Sequence, residues 1–194
     1  MKQKQLNPDK KLLAYIIGLA LGDGNLSNPN GRAVRLRITC DKKYPFLIKE
    51  IQKSIRTLLP ENKVSIVHRK GNCLDISCFS NYWESLLGWK AKEGSKIKQT
   101  VSVPFWIKKN RNHSIQCLKG LIETDGSIYS DRGYKMVNFV TYIPNLANDV
   151  IKMIENIGFN PNVQKLKISN NIKYTIRISR NAEKFIKTVK INKS

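Results

Sequence analysis

Apolar residues form two segments that are copies of one another. Residues 12–24 read LLAYIIGLALGDG and residues 114–126 read SIQCLKGLIETDG. Leu12, Ile16, Leu19 and Ala20 recur at the spacing of one helix face, which predicts a buried helix in the first copy. One constant offset relates both Asp-Gly pairs and the glycine that precedes each of them. The repeat predicts two half-domains built around a shared centre.

Small residues form a second stripe on each predicted helix. In the first copy the stripe comprises Ala14, Gly18 and Gly22, and in the second Gln116, Gly120 and Thr124. Glycine in a helix costs about 1 kcal/mol relative to alanine, so its presence favours a close approach of another backbone. We expect the two helices to pack side by side with their C-terminal ends together. Asn7 or Asp9 is suited to cap the first helix.

This packing would bring Asp23 and Asp125 close together. Two adjacent carboxylates repel each other, and the C-terminus of a helix already carries partial negative charge. A divalent cation between them would relieve the repulsion, and oxygen ligands suit Mg²⁺. The alternative is an Asp-Gly turn that only ends each helix. Its occurrence twice, in the same frame, favours the metal site.

The two segments resemble the paired signature peptides of the LAGLIDADG homing endonucleases. Residues 16–24 and 118–126 match that motif at its third, eighth and ninth positions, which are Gly18/Gly120, Asp23/Asp125 and Gly24/Gly126. The sixth position departs from the pattern, because Leu21 and Glu123 replace the usual Asp. Two motifs in one chain resemble the single-chain, pseudosymmetric members of the family.

The pattern after each motif predicts a strand, a helix, a hairpin and a helix. In the first strand Val34, Leu36 and Ile38 alternate with Arg35 and Arg37, which indicates a half-buried strand with a cationic face. The pattern yields three strands per half and the resemblance implies four. We therefore expect the extra strand near residues 25–26 and 128–129.

The expected fold is α+β, with two αββαββα half-domains related by a pseudo-twofold axis. Their antiparallel sheets would form a DNA-binding saddle, packed through the two motif helices. The expected boundaries are residues 1–88 for the first half, 89–103 for a linker and 104–194 for the second half. Asn181 is suited to cap the last helix.

The charge of the chain indicates a polyanionic partner. Lys and Arg number 35 against 14 acidic residues, a net charge of +21. A membrane surface is a weaker candidate, because it would require an amphipathic helix or a polybasic cluster beside an anchor. The apolar run of residues 12–21 is about half of the ~20 residues that span a bilayer. The four cysteines show no CxxC spacing, which favours reduced thiols over a zinc site.

The resemblance implies a metal-dependent endonuclease, encoded by a mobile intron, that hydrolyses both strands of double-stranded DNA at one long target site. Its metal site would comprise Asp23 and Asp125 with the residues before them, Gly22 and Thr124, and would hold Mg²⁺ or Mn²⁺. Asp23 and Asp125 would be catalytic, and Lys42 and Arg180 are candidates for the basic catalytic groups of the family. Cys40 and Tyr142 fall where the family often has Gln.

Specific contacts with DNA would come from the outward faces of the strands, although each residue alone could be a solvated surface group. The candidates are Arg32, Arg35, Arg37, His68, Lys70, Lys135, Asn138, Lys165, Lys173, Thr175 and Arg177. Two alternatives stay open: an intron maturase that binds RNA, and a nuclease-inactive relative that binds DNA. We expect a monomer without membrane attachment, in an organelle or in a prokaryotic cytoplasm.

Overall fold

Two four-stranded antiparallel sheets flank a central pair of helices in the computed structural model, which describes residues 8–193. The strand order is β1-β2-β4-β3 in the first sheet and β5-β6-β8-β7 in the second. The expected α+β fold, with the same order of elements in both halves, is confirmed. The first half contains α1 (Lys10–Leu21), β1 (Gly24–Ser27), β2 (Arg35–Asp41), α2 (Pro45–Leu58), β3 (Val64–His68), β4 (Cys73–Phe79) and α3 (Trp83–Leu87). The second contains α4 (Phe105–Lys108), α5 (Arg111–Asp125), β5 (Gly126–Asp131), β6 (Tyr134–Thr141), α6 (Pro144–Asn156), β7 (Asn162–Ile168), β8 (Asn171–Ile178) and α7 (Ala182–Val189).

The extra strand of each half lies where it was expected. β1 and β5 begin at the glycine of each Asp-Gly pair and align antiparallel to β2 and β6. The polar sequence of β1 conceals it, because only Leu26 of its four residues is an apolar side chain that faces the core. The short helix α4 was not predicted.

The ends of the helices follow local capping chemistry in most cases. The Asp9 side chain accepts a hydrogen bond from the Leu12 amide (2.8 Å), and Asn110 does the same for the first turn of α5. Asn7, the other candidate for α1, lies outside the described residues. Asn181 stands at the start of α7 but adopts a left-handed conformation (φ 57°) and makes no capping side-chain hydrogen bond, so that prediction was wrong.

The two motif helices pack backbone against backbone, as the small-residue stripes predict. A Cβ added to Gly18 would collide with the carbonyl oxygen of Cys117, and one added to Gly120 would collide with that of Tyr15. At the C-terminal ends, Gly22 lies against the Thr124 side chain in the same way. The crossing of α1 and α5 therefore brings both Asp-Gly pairs to one place.

The faces of the sheets follow the alternation of each strand. In β2 the residues Leu36 and Ile38 are fully buried, and Arg35 and Arg37 point away from the core. In β8 the residues Tyr174, Ile176 and Ile178 are buried in the same way. Helices cover the apolar face of each sheet, which leaves the polar face free.

The segment between the halves is held by side-chain contacts. The Asp149 carboxylate of α6 accepts hydrogen bonds from the Val103 amide (2.8 Å) and from the ammonium group of Lys108 (2.6 Å).

Within residues 8–193, no helix has the length and apolar character needed to cross a membrane.

Candidate functional site

Asp23 and Asp125 meet at the C-terminal ends of the two motif helices. α1 ends at Leu21 and α5 ends at Asp125, and each carboxylate sits just before the first strand of its own half. Both residues are exposed to solvent. The expected juxtaposition of the two carboxylates thus follows from the crossing of the helices.

The carboxyl group of Asp23 affects the titration of Asp125. Poor solvation of the Asp125 carboxyl raises its pKa to about 7, and the negative charge of Asp23 and hydrogen bonding with it act in the same direction. Lys96 and Lys193 lower that pKa in part. Such a pair is destabilised when both groups are ionised and no cation lies beside them.

Two lysines lie on either side of the carboxyl pair, one at the end of each motif helix. The Lys96 ammonium donates to the carbonyl oxygens of Leu21 (2.7 Å) and Gly22, and the Lys193 ammonium donates to those of Thr124 (2.7 Å) and Gly126 (2.6 Å). Burial lowers the pKa of both lysines, and the charges of the two Asp residues oppose that effect. Two carboxylates and two ammonium groups therefore share a small space.

The donor set fits a hard divalent cation in part. Two adjacent carboxylates present the oxygen ligands and the negative charge that Mg²⁺ or Mn²⁺ requires, although the ammonium groups of Lys96 and Lys193 offset part of that charge. The carbonyl oxygens of Gly22 and Thr124, which we expected to complete the site, accept hydrogen bonds from Lys96 and Lys193 instead. Within the described chain no group of three or more His, Cys, Asp or Glu side chains could hold a metal ion.

Two unequal cavities flank the carboxyl pair. One of about 410 Å³ lies beside Asp23 and is lined by Cys40, Asp41 and Lys43, among others. The other, of about 270 Å³, lies beside Asp125 and is lined by Tyr142, by Lys96 and mostly by apolar side chains. Cys40 and Tyr142 therefore occupy comparable places in the two halves, and the chemistry around the two Asp residues differs.

Neither of the predicted basic catalytic residues lies at the pair. The Lys42 ammonium donates to the carbonyl oxygen of Gly71 (2.7 Å) in the β3–β4 hairpin. Arg180 follows β8, whose last residue aligns with Val137, whereas the Asp125 cavity lies at the other end of β6, beside Thr141. The basic groups beside the carboxyl pair are the ammonium groups of Lys96 and Lys193, and not the side chains of Lys42 and Arg180 that we expected.

Six of the predicted DNA contacts lie on the polar faces of the sheets. Some of them make side-chain hydrogen bonds to neighbouring strands: Arg177 donates to the Asn138 side chain (3.1 Å), and Arg35 donates to Ser27 (3.2 Å). Arg32 and Lys70 are exposed in loops. The six on the polar faces are Arg35, Arg37, Asn138, Lys173, Thr175 and Arg177.

Three other candidates were placed on the wrong face. His68 aligns with Leu74 and Lys165 aligns with Tyr174, so both belong to the faces that carry buried side chains. Lys135 lines a cavity with residues of α7, on the helical side of the second sheet. The period of two in a strand requires this, since residues 135 and 138 are three positions apart and cannot share a face.

Asp75 was missed because it is an acid in a cationic surface. Its buried carboxylate pairs with Arg69 (2.7 Å) and Arg37 (3.8 Å) and accepts a hydrogen bond from Thr39 (2.9 Å). It aligns with Thr39 on the polar face of the first sheet. Asp75 thus fixes the directions in which two arginines point.

Family models match both halves of the chain. The LAGLIDADG-like domain matches residues 113–190, and the WhiA LAGLIDADG-like domain matches residues 12–74. The chain is a two-motif LAGLIDADG protein. The resemblance stated from the two motifs is thereby confirmed.

Solved structures share the fold of this LAGLIDADG protein. The homing endonuclease I-DmoI in complex with DNA and Mn superposes with a TM-score of 0.68 and 19% identity, covering 93% of this chain and 96% of that chain. The N-terminal LAGLIDADG domain of DUF199/WhiA gives a TM-score of 0.62 and 13% identity, covering 97% of this chain and 87% of that chain. At these identities the likeness establishes the fold alone.

One curated protein is similar in sequence. It is described as the tRNA-splicing ligase RtcB of Methanopyrus kandleri, with 24% identity over 89% of this chain. The match covers only 20% of that protein, so this LAGLIDADG protein spans about a fifth of the length of its relative.

Proposed function

We propose that this LAGLIDADG protein is a site-specific endonuclease that hydrolyses both strands of DNA. The observation that carries the proposal is the pair Asp23 and Asp125, held side by side at the ends of two helices and exposed to solvent. A protein that only binds DNA would gain nothing from two adjacent negative charges that face phosphates. The likeness to I-DmoI, which was solved in complex with DNA and Mn, supports this interpretation.

Each element of the site has a role in the proposed reaction. Asp23 and Asp125 would hold the divalent cation, which when bound supplies Lewis-acid stabilisation of the phosphate and a water of lowered pKa. Lys96 and Lys193, one on each side of the pair, add positive charge where negative charge accumulates on phosphate oxygens. Arg35, Arg37 and Arg177 on the polar faces bind the duplex and set its register.

We propose that the protein acts as a monomer. The two motif helices already satisfy each other's close-packing surfaces within one chain, as Gly18 and Gly120 show. A second copy would have no vacant motif helix to bind. A single species at the mass of one chain in light scattering without DNA, and at the mass of one chain plus one duplex with DNA, would support this.

The deciding experiment is cleavage by the purified protein of supercoiled DNA that carries the uninterrupted insertion site. If the reading frame lies in an intron, the flanking exons supply that site. Linear product at one position with Mg²⁺ or Mn²⁺, none with EDTA, and none from Asp23→Asn or Asp125→Asn would support the proposal. Both variants should bind the DNA at least as tightly as the wild type, because each removes a negative charge.

A nuclease-inactive DNA-binding protein is the second candidate. Two observations favour it. The WhiA LAGLIDADG-like domain matches residues 12–74. The carbonyl oxygens of Gly22 and Thr124, which a metal ion would need as ligands, accept hydrogen bonds from Lys96 and Lys193. Tight, salt-dependent binding of the DNA without cuts in either metal would select this candidate. Preferential binding of the folded intron RNA over the DNA site would instead indicate a maturase.

A further inference from the structure

Glu123 is a buried carboxylate at the motif position where the first half has Leu21. It is 1% exposed. One of its oxygens accepts a hydrogen bond from the Tyr15 hydroxyl (2.8 Å) and the other accepts one from the backbone amide of Asn192 (2.8 Å). A side chain of the central helix α5 thus holds the segment that follows α7.

Asn192 has a second anchor on the first half of the molecule. Its side-chain amide donates to Glu50 of α2 (3.1 Å), and Glu50 pairs with Lys119. Lys119 also lies 3.7 Å from Glu123, one turn away on α5. Two carboxylates and one ammonium group therefore converge where Asn192 crosses from one half to the other; the side chains of Glu123 and Lys119 are buried and that of Glu50 is partly exposed. Such a buried cluster is costly to assemble, so its contacts must be well formed to persist.

Lys193 follows Asn192 directly and reaches the carboxyl pair. Its ammonium group donates to the carbonyl oxygens of Thr124 and Gly126, the two neighbours of Asp125. Adjacent Cα atoms are about 3.8 Å apart, so fixing the backbone of Asn192 fixes the origin of the Lys193 side chain. Among the described residues, the hydrogen-bond and ion-pair partners of Glu123 are Tyr15, Asn192 and Lys119, and they do not include Asp23 or Asp125.

The other half places its lysine by different means. Lys96 lies in the segment between the halves, which Asp149 of α6 holds through the Val103 amide. The side chain of Leu21, the counterpart of Glu123, has no hydrogen-bond acceptor, although its backbone carbonyl oxygen accepts from Lys96. The two lysines therefore depend on separate anchors, and one anchor can be removed without the other.

We propose that Glu123 is a positioning residue that holds Asn192 and thereby keeps the ammonium group of Lys193 beside Asp23 and Asp125. This inference rests on the proposed nuclease function. It assigns to Glu123 control over one of the two strand cuts, and it gives a role to a motif position at which one half has an apolar residue and the other a carboxylate.

The test compares Glu123→Leu, which installs the residue of the other half, with Glu123→Gln, which keeps an oxygen acceptor. Cleavage of supercoiled plasmid separates the first cut from the second, because nicked and linear products are resolved. We expect Glu123→Leu to slow one of the two cuts about tenfold, and Glu123→Gln to stay within about twofold of the wild type. DNA affinity measured in EDTA should not change for either variant.

The second part of the test uses Lys193→Met, which removes the ammonium group that Glu123 is proposed to position. If Glu123 acts through Lys193, the double variant should cut no more slowly than Lys193→Met alone. Tyr15→Phe is the matched control, because it removes the other partner of Glu123 and leaves the Asn192 contact. Additive losses in the double variant, or an equal loss in Tyr15→Phe, would overturn the proposal.

A readout without catalysis separates this inference from the proposed function. The Asn192 amide should exchange slowly with solvent in the wild type and fast in Glu123→Leu, by NMR. If the wild type binds but does not cut, the proposed function fails, and this exchange still decides whether Glu123 holds the segment. Equal exchange in both proteins refutes it. If Glu123→Leu does not fold, Asn192→Pro removes the same hydrogen bond from an exposed residue and should slow the same cut.

Discussion

Gly18 lies so close to Cys117 that a Cβ on Gly18 would collide with the carbonyl oxygen of Cys117. This contact joins the two motif helices, and it fixes where their C-terminal ends meet. Because Asp23 lies five residues beyond Gly18, the position of the carboxyl pair depends on this approach. Backbone packing and the candidate chemistry are therefore linked through one residue.

Gly18→Ala should destabilise the protein despite the better helix propensity of alanine. Alanine favours a helix by about 1 kcal/mol, but the forced separation of α1 from α5 should outweigh that, with a net loss of about 1–3 kcal/mol. Denaturant unfolding would measure the free energy. Gly120→Ala should behave alike, and Lys49→Ala, on the exposed surface of α2, should change the free energy of unfolding by less than about 0.5 kcal/mol. An unchanged or increased stability of Gly18→Ala would show that the helices can separate freely.

Asp125→Asn should stabilise the metal-free protein at alkaline pH and not at acid pH. Poor solvation of the Asp125 carboxyl group and the negative charge of Asp23 raise the pKa of Asp125. Its contribution to stability is therefore present below the ordinary Asp value near 4 and is lost as pH rises to about 7. Asparagine does not ionise, so the Asp125→Asn variant does not lose stability in this way as the pH rises. Because the residue is exposed and solvent screens the interaction, we expect a gain on the order of 1 kcal/mol at pH 8 and little at pH 4.

Thermal melts in EDTA across this pH range would measure the effect. Asp41→Asn is the matched control, since hydrogen bonding from Lys43 lowers the pKa of Asp41 and the sign is reversed. That variant should lose rather than gain stability above pH 4. A pH-independent effect of Asp125→Asn would contradict the coupling of the two carboxyl groups.

One of the four cysteines should react with thiol reagents in the native protein. Cys73 is partly exposed, whereas Cys40, Cys78 and Cys117 are buried. Burial raises the pKa of Cys40 to about 12 and that of Cys78 to about 11, and it raises the pKa of Cys117 further. Because the thiolate is the reactive species, these three should be labelled slowly until the chain unfolds. Mass spectrometry after brief alkylation would count the labels, and two or more in the native state would refute the prediction.

Arg177→Ala should weaken DNA binding, and Lys165→Ala should not. Arg177 lies on the polar face of the second sheet beside Asn138, while Lys165 lies over the Tyr174 ring on the opposite face. Loss of a base contact should cost about 1–3 kcal/mol of binding, and loss of a phosphate contact should reduce the salt slope by about one. Fluorescence anisotropy at several salt concentrations would distinguish these two roles. Equal losses in both variants would mean that the protein binds DNA by net charge alone.

The sequence by itself determined the repeat and its consequences. Glycine positions four residues apart require close helix packing, and the Asp-Gly pairs in equal frames require that the two carboxylates meet. The alternation in β2 and β8 determined which side chains are buried, because successive residues point to opposite faces of the sheet and the apolar face must pack against the core. Applied to residues 135 and 138, the same period would have excluded Lys135 from the polar face.

Only the tertiary structure decided which cations reach the carboxyl pair. Lys96 and Lys193 lie far from the motifs along the chain, in segments without periodicity, and they reach the site because Asp149, Glu50 and Glu123 hold those segments. Asp75 was hidden for the same reason, since its partners come from neighbouring strands and a hairpin. Local patterns encode helices and strands through backbone geometry. The packing of distant irregular segments depends instead on side-chain contacts between elements, which no local pattern in the sequence records.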